Sequence, residues 1–336
     1  MLINLEEDFK NFENYCQSYN DYKEKILNKI SLENKIIYST PIYDLVSFNS
    51  TPETDRVFLI IPSIINNSNI FTIGGKESFI GYLSSYGKVY LVNWKEPYEQ
   101  TYDLNLNDYV KETSQIVENL HKTLNKNIDL IGYCLGGNFA LATSVLISNC
   151  IKSLMLFATP WDFNYLKNFR HAQKILHIER ALENLPVVPI TYMQILFLLM
   201  DTEKSFNKFF CSYFLDSCND INTFFEVEQW LYTGNDIAKP AYNQLMTELI
   251  DRNITMSNDW YIDENCINPT ELKIPVLSVL GLKDKIVAAD AVRAIYSMLS
   301  NYKPIEIDSG HIGFFVGKHK EKLYKEIDQW LRGNNE

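Results

Sequence analysis

Ile128-Asp129-Leu130-Ile131-Gly132-Tyr133-Cys134-Leu135-Gly136-Gly137 is the stretch on which the fold turns. Ile128 to Ile131 is a short, largely apolar run that reads as a buried strand, and a helical pattern follows over about 135–149. Between them, glycines stand two before and two after Cys134. That spacing marks a strand-to-helix elbow so tight that its flanks tolerate only small residues, and it throws the side chain at 134 into the open. At a helix N-terminus the amides and the dipole favour a thiolate, and the Leu135 N–H is placed to stabilise an oxyanion. Phosphate-binding readings fail here: Gly132 to Gly137 lacks the spacing of a dinucleotide fingerprint, and Gly75-Lys76 is followed by Glu77 rather than Ser or Thr.

Working outward, three more apolar runs, Val89 to Val92, Leu154 to Phe157 and Val276 to Leu280, alternate with helical patterns at about 106–125 and 289–300. Strands buried on both faces and separated by helices are the signature of a mostly parallel α/β sheet. Upstream, Ile36 to Phe48, interrupted at Pro41, and then Arg56 to Ile61 read as a hairpin-like entry into that sheet. The interval from Phe157 to Pro275 is far longer than a crossover needs, so an inserted subdomain is expected there. The expected division is a helical segment over 1–35, a core over 36–164 and 271–336, and a cap over 165–270. Within the insertion, Phe206, Phe209, Phe210, Tyr213 and Phe214 recur at helical steps. They and Phe224, Phe225, Trp230, Tyr232, Tyr242, Trp260 and Tyr261 read either as the subdomain's own core or as the lining of a cap over a site for an apolar acyl group.

The chain has 336 residues, 46% of them hydrophobic and 22% charged, which is a globular balance that excludes disorder and low-complexity tails. Its net charge of −11 and pI near 5.1 offer no field for phosphate backbones, so nucleic acid is not an expected partner. The first residues, Met1-Leu2-Ile3-Asn4-Leu5-Glu6-Glu7-Asp8, have neither a basic nor an apolar leader region, so a cytoplasmic protein is expected. Val187 to Met200 falls short of a bilayer span and reads as a buried or interfacial helix. Six cysteines without CxxC pairs or zinc spacing suggest thiols rather than disulfides or metal ligands, and neither a metal nor a cofactor is expected. Leu5, Phe9, Phe12, Cys16, Tyr19, Tyr22 and Ile26 form the stripe of an amphipathic N-terminal helix.

Two further segments complete the chemistry in the order nucleophile, acid, histidine that the elbow calls for. Asp284 stands in the loop after the strand ending at Leu280, and His311, flanked by Gly310 and Gly313, stands in the loop after the last extended run. Triad logic gives His311 the role of base toward Cys134 and Asp284 that of orienting His311. Asp308 is a rival acid, but only three residues before His311 it would have to fold back on its own loop. His121, His171, His177 and His319 sit among polar or basic neighbours and read as surface residues.

These segments resemble the polyhydroxyalkanoate synthases, particularly the short catalytic subunits. The resemblance spans nearly the whole chain: Ile61-Pro62-Ser63-Ile64-Ile65-Asn66, Val92-Asn93-Trp94, the Cys134 elbow, Thr159-Pro160-Trp161-Asp162-Phe163, Glu228-Gln229-Trp230, Gly281 to Val287, and Ser309-Gly310-His311-Ile312-Gly313. It implies an α/β-hydrolase fold and places a second oxyanion amide, that of Ile64, in the loop opposite Leu135. It also implies polymerisation of a hydroxyacyl-CoA, with 3-hydroxybutyryl-CoA the expected substrate, into a polyester through an acyl-enzyme on Cys134. Asp284 then takes part in activating the hydroxyl of the next unit; the coenzyme A thioester is substrate rather than cofactor. The chain departs from the family pattern at Asn93, Ala288 and Thr233-Gly234, all outside the triad and bearing on the cap.

By the same resemblance the expected partners are the growing polyester chain or a granule surface, a non-catalytic second subunit, and further copies of the chain in a homo-oligomer. The N-terminal helix is then either a docking surface or a helix packed on its own sheet. Two rival functions stand beside this one. One is a thiol-dependent hydrolase, a thioesterase or lactone hydrolase, with water as acceptor. The other is an inactive scaffold coating granules, against which the complete set of Cys134, Asp284 and His311 argues.

Overall fold

Burial on both faces makes β3 (Arg56–Ile61) the centre of an eight-stranded sheet in the computed structural model, which describes residues 32–50, 54–175, 178–200 and 221–334. The expected helices at 5–26 and around 206–214 lie outside the described residues. In front of β3 come β1 (Asn34–Ser39) and β2 (Tyr43–Phe48), an antiparallel pair whose connection contains Pro41. After it follow β4 (Gly87–Trp94), β5 (Ile128–Tyr133) and β6 (Ile151–Phe157). The small pairs β7 (Val187–Val188) with β8 (Ile237–Ala238) and β9 (Tyr261–Ile262) with β10 (Asn265–Cys266) stand apart, before β11 (Val276–Gly281) and β12 (Tyr302–Ile307) complete the sheet.

The spatial order is β1-β2-β4-β3-β5-β6-β11-β12, parallel from β4 onward. The hairpin-like entry is therefore confined to β1 and β2. β4 intervenes between β2 and β3, and β3, buried at all six positions, takes an interior place that covers both its faces. Alternation along β3 splits its side chains between two cores. Val57, Leu59 and Ile61 face the helices Leu106–Leu124 and Leu135–Leu146, while Phe58 and Ile60 face the helices Phe79–Tyr86 and Lys320–Gly333.

At the N-terminal end of the parallel strands, Arg56 and Asp129 form a buried ion pair of 2.8 Å. The same guanidinium donates to the carbonyls of Leu331 and Asn334, tying the C-terminal helix to the sheet. Ser153 adds a third strand by donating to Asp129.

The interval between β6 and β11 carries its own elements, among them the helices Lys167–Ile175, Ile190–Met200 and Ile221–Leu231. Ile190–Met200 is interfacial, as its sequence predicts, with Met193 and Leu196 buried and Ile195 and Leu199 exposed. The expected helix at 135–149 ends at Leu146, and that at 289–300 is an α-helical turn, Ala289–Arg293, continued as 3-10 helix to Met298. Among the described residues no helix is long and apolar enough to cross a membrane.

Candidate active site

Cys134 follows β5 directly and caps the helix Leu135–Leu146 with φ 53° and ψ −125°. A side-chain-bearing residue occupies that region only when its surroundings hold it there, at a cost of about 1–3 kcal/mol. Here its N–H donates to the Phe157 carbonyl at 2.8 Å and its own carbonyl accepts from Gly137 at 2.9 Å. The glycine pattern has a direct cause: a Cβ at Gly136 would lie 2.3 Å from the Pro62 carbonyl oxygen, and one at Gly132 would lie 2.4 Å from the Gly137 Cα. The loop after β3 can thus lie against the start of the helix. Ile64 and Leu135 are both buried in this contact region, and neither side chain lines the cavity beside Cys134.

Asp284 and His311 come to the same end of the sheet from the loops after β11 and β12. His311 Nδ1 lies 2.7 Å from Asp284 Oδ2. The other carboxylate oxygen accepts from the backbone N–H groups of Ile286 at 2.8 Å and Val287 at 2.9 Å, which fixes the carboxyl plane. The imidazole also stands beside Cys134 at the same cavity. Burial disfavours its protonated form, but the Asp284 charge and hydrogen bond, together with Cys134, outweigh this and raise its pKa from 6.5 to about 10. The three residues expected to act together are therefore brought together.

Asp308 turns outward, its carboxylate exposed and 2.8 Å from Lys283 Nζ, so Asp284 is the acid that meets His311. Of the remaining histidines, His121 is half-buried against the Lys126 carbonyl, His171 is exposed and His319 half-buried; His177 lies outside the described residues.

Cys134 and His311 lie at the floor of a cavity of about 480 Å³. Pro62, Ser63 and Ile312 contribute to its lower wall, and Phe197, Phe224, Val227, Trp230 and Tyr232 cover it from the insertion. The insertion's aromatics divide between two places. Phe224, Trp230 and Tyr232 line the cavity, while Phe225, Tyr242 and Trp260 are buried in packing. The insertion is latched to the loop after β3. Trp230 Nε1 donates to the Asn67 carbonyl at 2.7 Å, Asn67 Nδ2 donates to Thr233 Oγ1 at 2.6 Å, and Asn66 bridges to Gly234. Two of the departures from the family pattern, Thr233-Gly234 and Asn93, meet this loop, Asn93 by accepting from Ser68 at 3.1 Å.

Sequence reasoning missed two features. The latch joins residues about 165 apart in the chain and has no local signal. Tyr133 packs on His311 with ring centroids 5.1 Å apart. Strand alternation sends it to the face opposite its neighbours, but periodicity alone does not name its partner.

No protein-family model matches the chain. It is similar to poly(3-hydroxyalkanoate) polymerase subunit PhaC of Allochromatium vinosum, 24% identical over 335 residues and covering 94% of each protein. The PhaC subunit of Haloferax mediterranei is 25% identical over 90% of this chain, which spans 64% of that relative's length. The Synechocystis subunit is 24% identical over 81% of this chain and 76% of its own. Among solved structures, an α/β fold hydrolase of Bacillus anthracis matches with a TM-score of 0.56 at 15% identity, covering 89% of this chain and 99% of its own. A hydrolase of Pseudomonas aeruginosa matches with 0.56 at 12%, covering 89% and 98%. At such identities the structural likeness establishes the α/β-hydrolase fold.

Proposed function

We propose, from the premise that this chain is a homologue of the poly(3-hydroxyalkanoate) polymerase subunits PhaC on an α/β-hydrolase fold, that it polymerises a hydroxyacyl-CoA into polyhydroxyalkanoate with release of coenzyme A. Cys134 sulfur attacks the thioester carbonyl. The tetrahedral oxyanion is held by the N–H groups of Leu135 and Ile64 and collapses to an acyl-enzyme, and coenzyme A leaves as a thiol carrying the proton held by His311. The hydroxyl of the next unit or of the growing chain then gives its proton to the base and attacks the acyl carbon, forming the ester and freeing Cys134.

Asp284 bears on both steps. Its contact with His311 Nδ1 supports an orienting role, and the family resemblance implies a part in activating the hydroxyl. In this reading residues 36–164 and 271–336 form the catalytic core and 165–270 the cap. The substrate is 3-hydroxybutyryl-CoA. The protein works in the cytoplasm at the surface of its own polyester, as a homo-oligomer with a non-catalytic second subunit.

One observation carries the reading: Cys134, beside an Asp284-paired His311, lies beneath a largely apolar roof. A covered nucleophile keeps an acyl-enzyme from water and favours a hydroxyl acceptor over hydrolysis. The test is to supply purified protein with 3-hydroxybutyryl-CoA and follow coenzyme A release and product together. Polymer with released coenzyme A is the expected result. Free 3-hydroxybutyrate would instead assign a thioesterase, and no coenzyme A release at all would assign a scaffold.

A further inference from the structure

Lys283 and Lys285 flank Asp284 in the loop after β11. The Asp284 carboxylate turns inward to accept from Ile286 and Val287, and the lysines on either side of it stand exposed at the cavity that holds Cys134. An exposed lysine is ordinary on a protein surface, but the setting of this pair is not. The carboxylate that lines the same cavity, Glu228, is buried in the roof, so the accessible charge at the mouth is positive. Lys283 is engaged by Asp308 at 2.8 Å, whereas Lys285 pairs with no acid among the described residues. The hydrogen bond from Lys283, and then the charges of Lys283, His319 and Lys318, hold the Asp308 carboxyl below the ordinary carboxylate range, which sets Lys318 beside the same loops. Lys318 is exposed and likewise pairs with no acid among the described residues. Positive charge thus gathers beside the nucleophile on a chain whose net charge is −11. A polyanion is repelled by such a molecule as a whole and is drawn in only where a local field outweighs that repulsion.

We propose that Lys285, with Lys283 and Lys318 beside it, forms a phosphate-binding strip that holds the phosphates of the coenzyme A moiety while the acyl thioester reaches Cys134. The proposal rests on the acyl-transfer reading of the same site. Such a donor has an apolar acyl end and a phosphate-bearing end, and the cavity divides the same way, with Phe197, Val227 and Trp230 in its roof and the lysines at its mouth. Ammonium groups give charge-assisted hydrogen bonds to phosphate oxygens and act as point charges, so a flexible polyanion can be held without one fixed geometry. Because Asp284 stands between the two lysines and is tied to both His311 and the next backbone amides, the strip is fixed in place relative to the reacting groups. Asp308 sets its strength: by occupying Lys283 it leaves Lys285 the larger share of the phosphate charge.

The test compares 3-hydroxybutyryl-CoA with the N-acetylcysteamine thioester of 3-hydroxybutyrate, which keeps the acyl group and lacks every phosphate, reading thiol release from each. In Lys285→Glu the ratio of kcat/KM for the two donors should fall about tenfold, through the KM of the coenzyme A donor, and Lys285→Arg should preserve it. Asp308→Asn should raise the ratio by about twofold, since it frees Lys283. Added salt should lower the ratio in wild type, and less steeply in Lys285→Glu. A second measurement is free of turnover. Cys134→Ala protein should bind coenzyme A more tightly than pantetheine, and Cys134→Ala with Lys285→Glu should lose most of that difference. An unchanged ratio in Lys285→Glu, an equal loss with both donors, or coenzyme A and pantetheine bound alike by Cys134→Ala protein would overturn the proposal while leaving the acyl-transfer reading intact. A wild-type protein that releases thiol from neither donor would overturn that reading and this one with it.

Discussion

Cys134 is held at a positive φ that costs energy, and under the proposed reaction this position is the nucleophile's, so changes at 134 should be read in chemistry more than in stability. Cys134→Ala should abolish coenzyme A release, and Cys134→Ser should leave little activity, since a hydroxyl ionises far less readily with a base set for a thiol. Release by the alanine variant at near wild-type rate would remove Cys134 as nucleophile. For Asp284 the geometry makes a sharper statement than the sequence did. Two backbone donors hold Oδ1, so in Asp284→Asn the amide oxygen stays with Ile286 and Val287 and the NH₂ group faces His311 Nδ1. That forces the other tautomer and leaves no base toward Cys134. Acylation and elongation should then both slow, by on the order of 100-fold or more; a full coenzyme A burst with elongation alone lost would assign Asp284 to the incoming hydroxyl instead. The His311 pairing also carries a pH signature. Its folded-state pKa of about 10 lies above the ordinary 6.5, so the protonated ring is bound preferentially by the folded state. The resulting stabilisation over His311→Gln should be complete below about pH 6.5 and lost as pH rises through about 10, as read from urea midpoints at a series of pH values. At this scale the sequence was most legible, because glycine spacing and chain order are local facts. Tyr133 was not legible, since the ring it packs on lies in a loop almost 180 residues away.

Between elements, the join that matters is the one from the helix Ile221–Leu231 to the loop after β3. Removing the indole donor in Trp230→Phe frees the Asn67 carbonyl and should cost about 1 kcal/mol. Limited proteolysis should then cut faster within 165–270, and acylation of Cys134 should slow that cutting in the wild type by filling the cavity beneath. Cleavage at the same rate in wild type and variant would show that the latch does not hold this part down. The alternation of apolar runs and helical patterns was enough to read the parallel sheet, since such strands are apolar on both faces. The place of β4 between β2 and β3 was not, because a strand's own residues state how deeply it is buried but not which strands flank it. The helix beginning at Ala289 likewise tightens into a 3-10 turn at Ala294 within one apolar pattern.

Across the whole molecule, stability and chemistry sit at opposite ends of the same strands. Arg56 and Asp129 open β3 and β5, and Cys134 stands just past the end of β5. Arg56→Ala strands a buried carboxylate and frees two carbonyls of the C-terminal segment, so it should cost about 3–5 kcal/mol in urea unfolding. Acylation per folded molecule should remain within about twofold, as expected for sites that share no partners; a proportionate loss of acylation in fully folded protein would show that the two ends are coupled. The cavity sets a different kind of limit. A four-carbon ester unit fills roughly 100 Å³ at interior packing density, so a space of about 480 Å³ is full after a handful of additions. Under the proposed polymerisation, every unit inserted from then on would have to push an equal length of strand out past Tyr232 and Lys285 at the rim, as thread leaves a spinneret. A cavity of that size would then not serve as a ruler, and the finished length would be a contest between the rate of insertion and the rate at which the strand is let go.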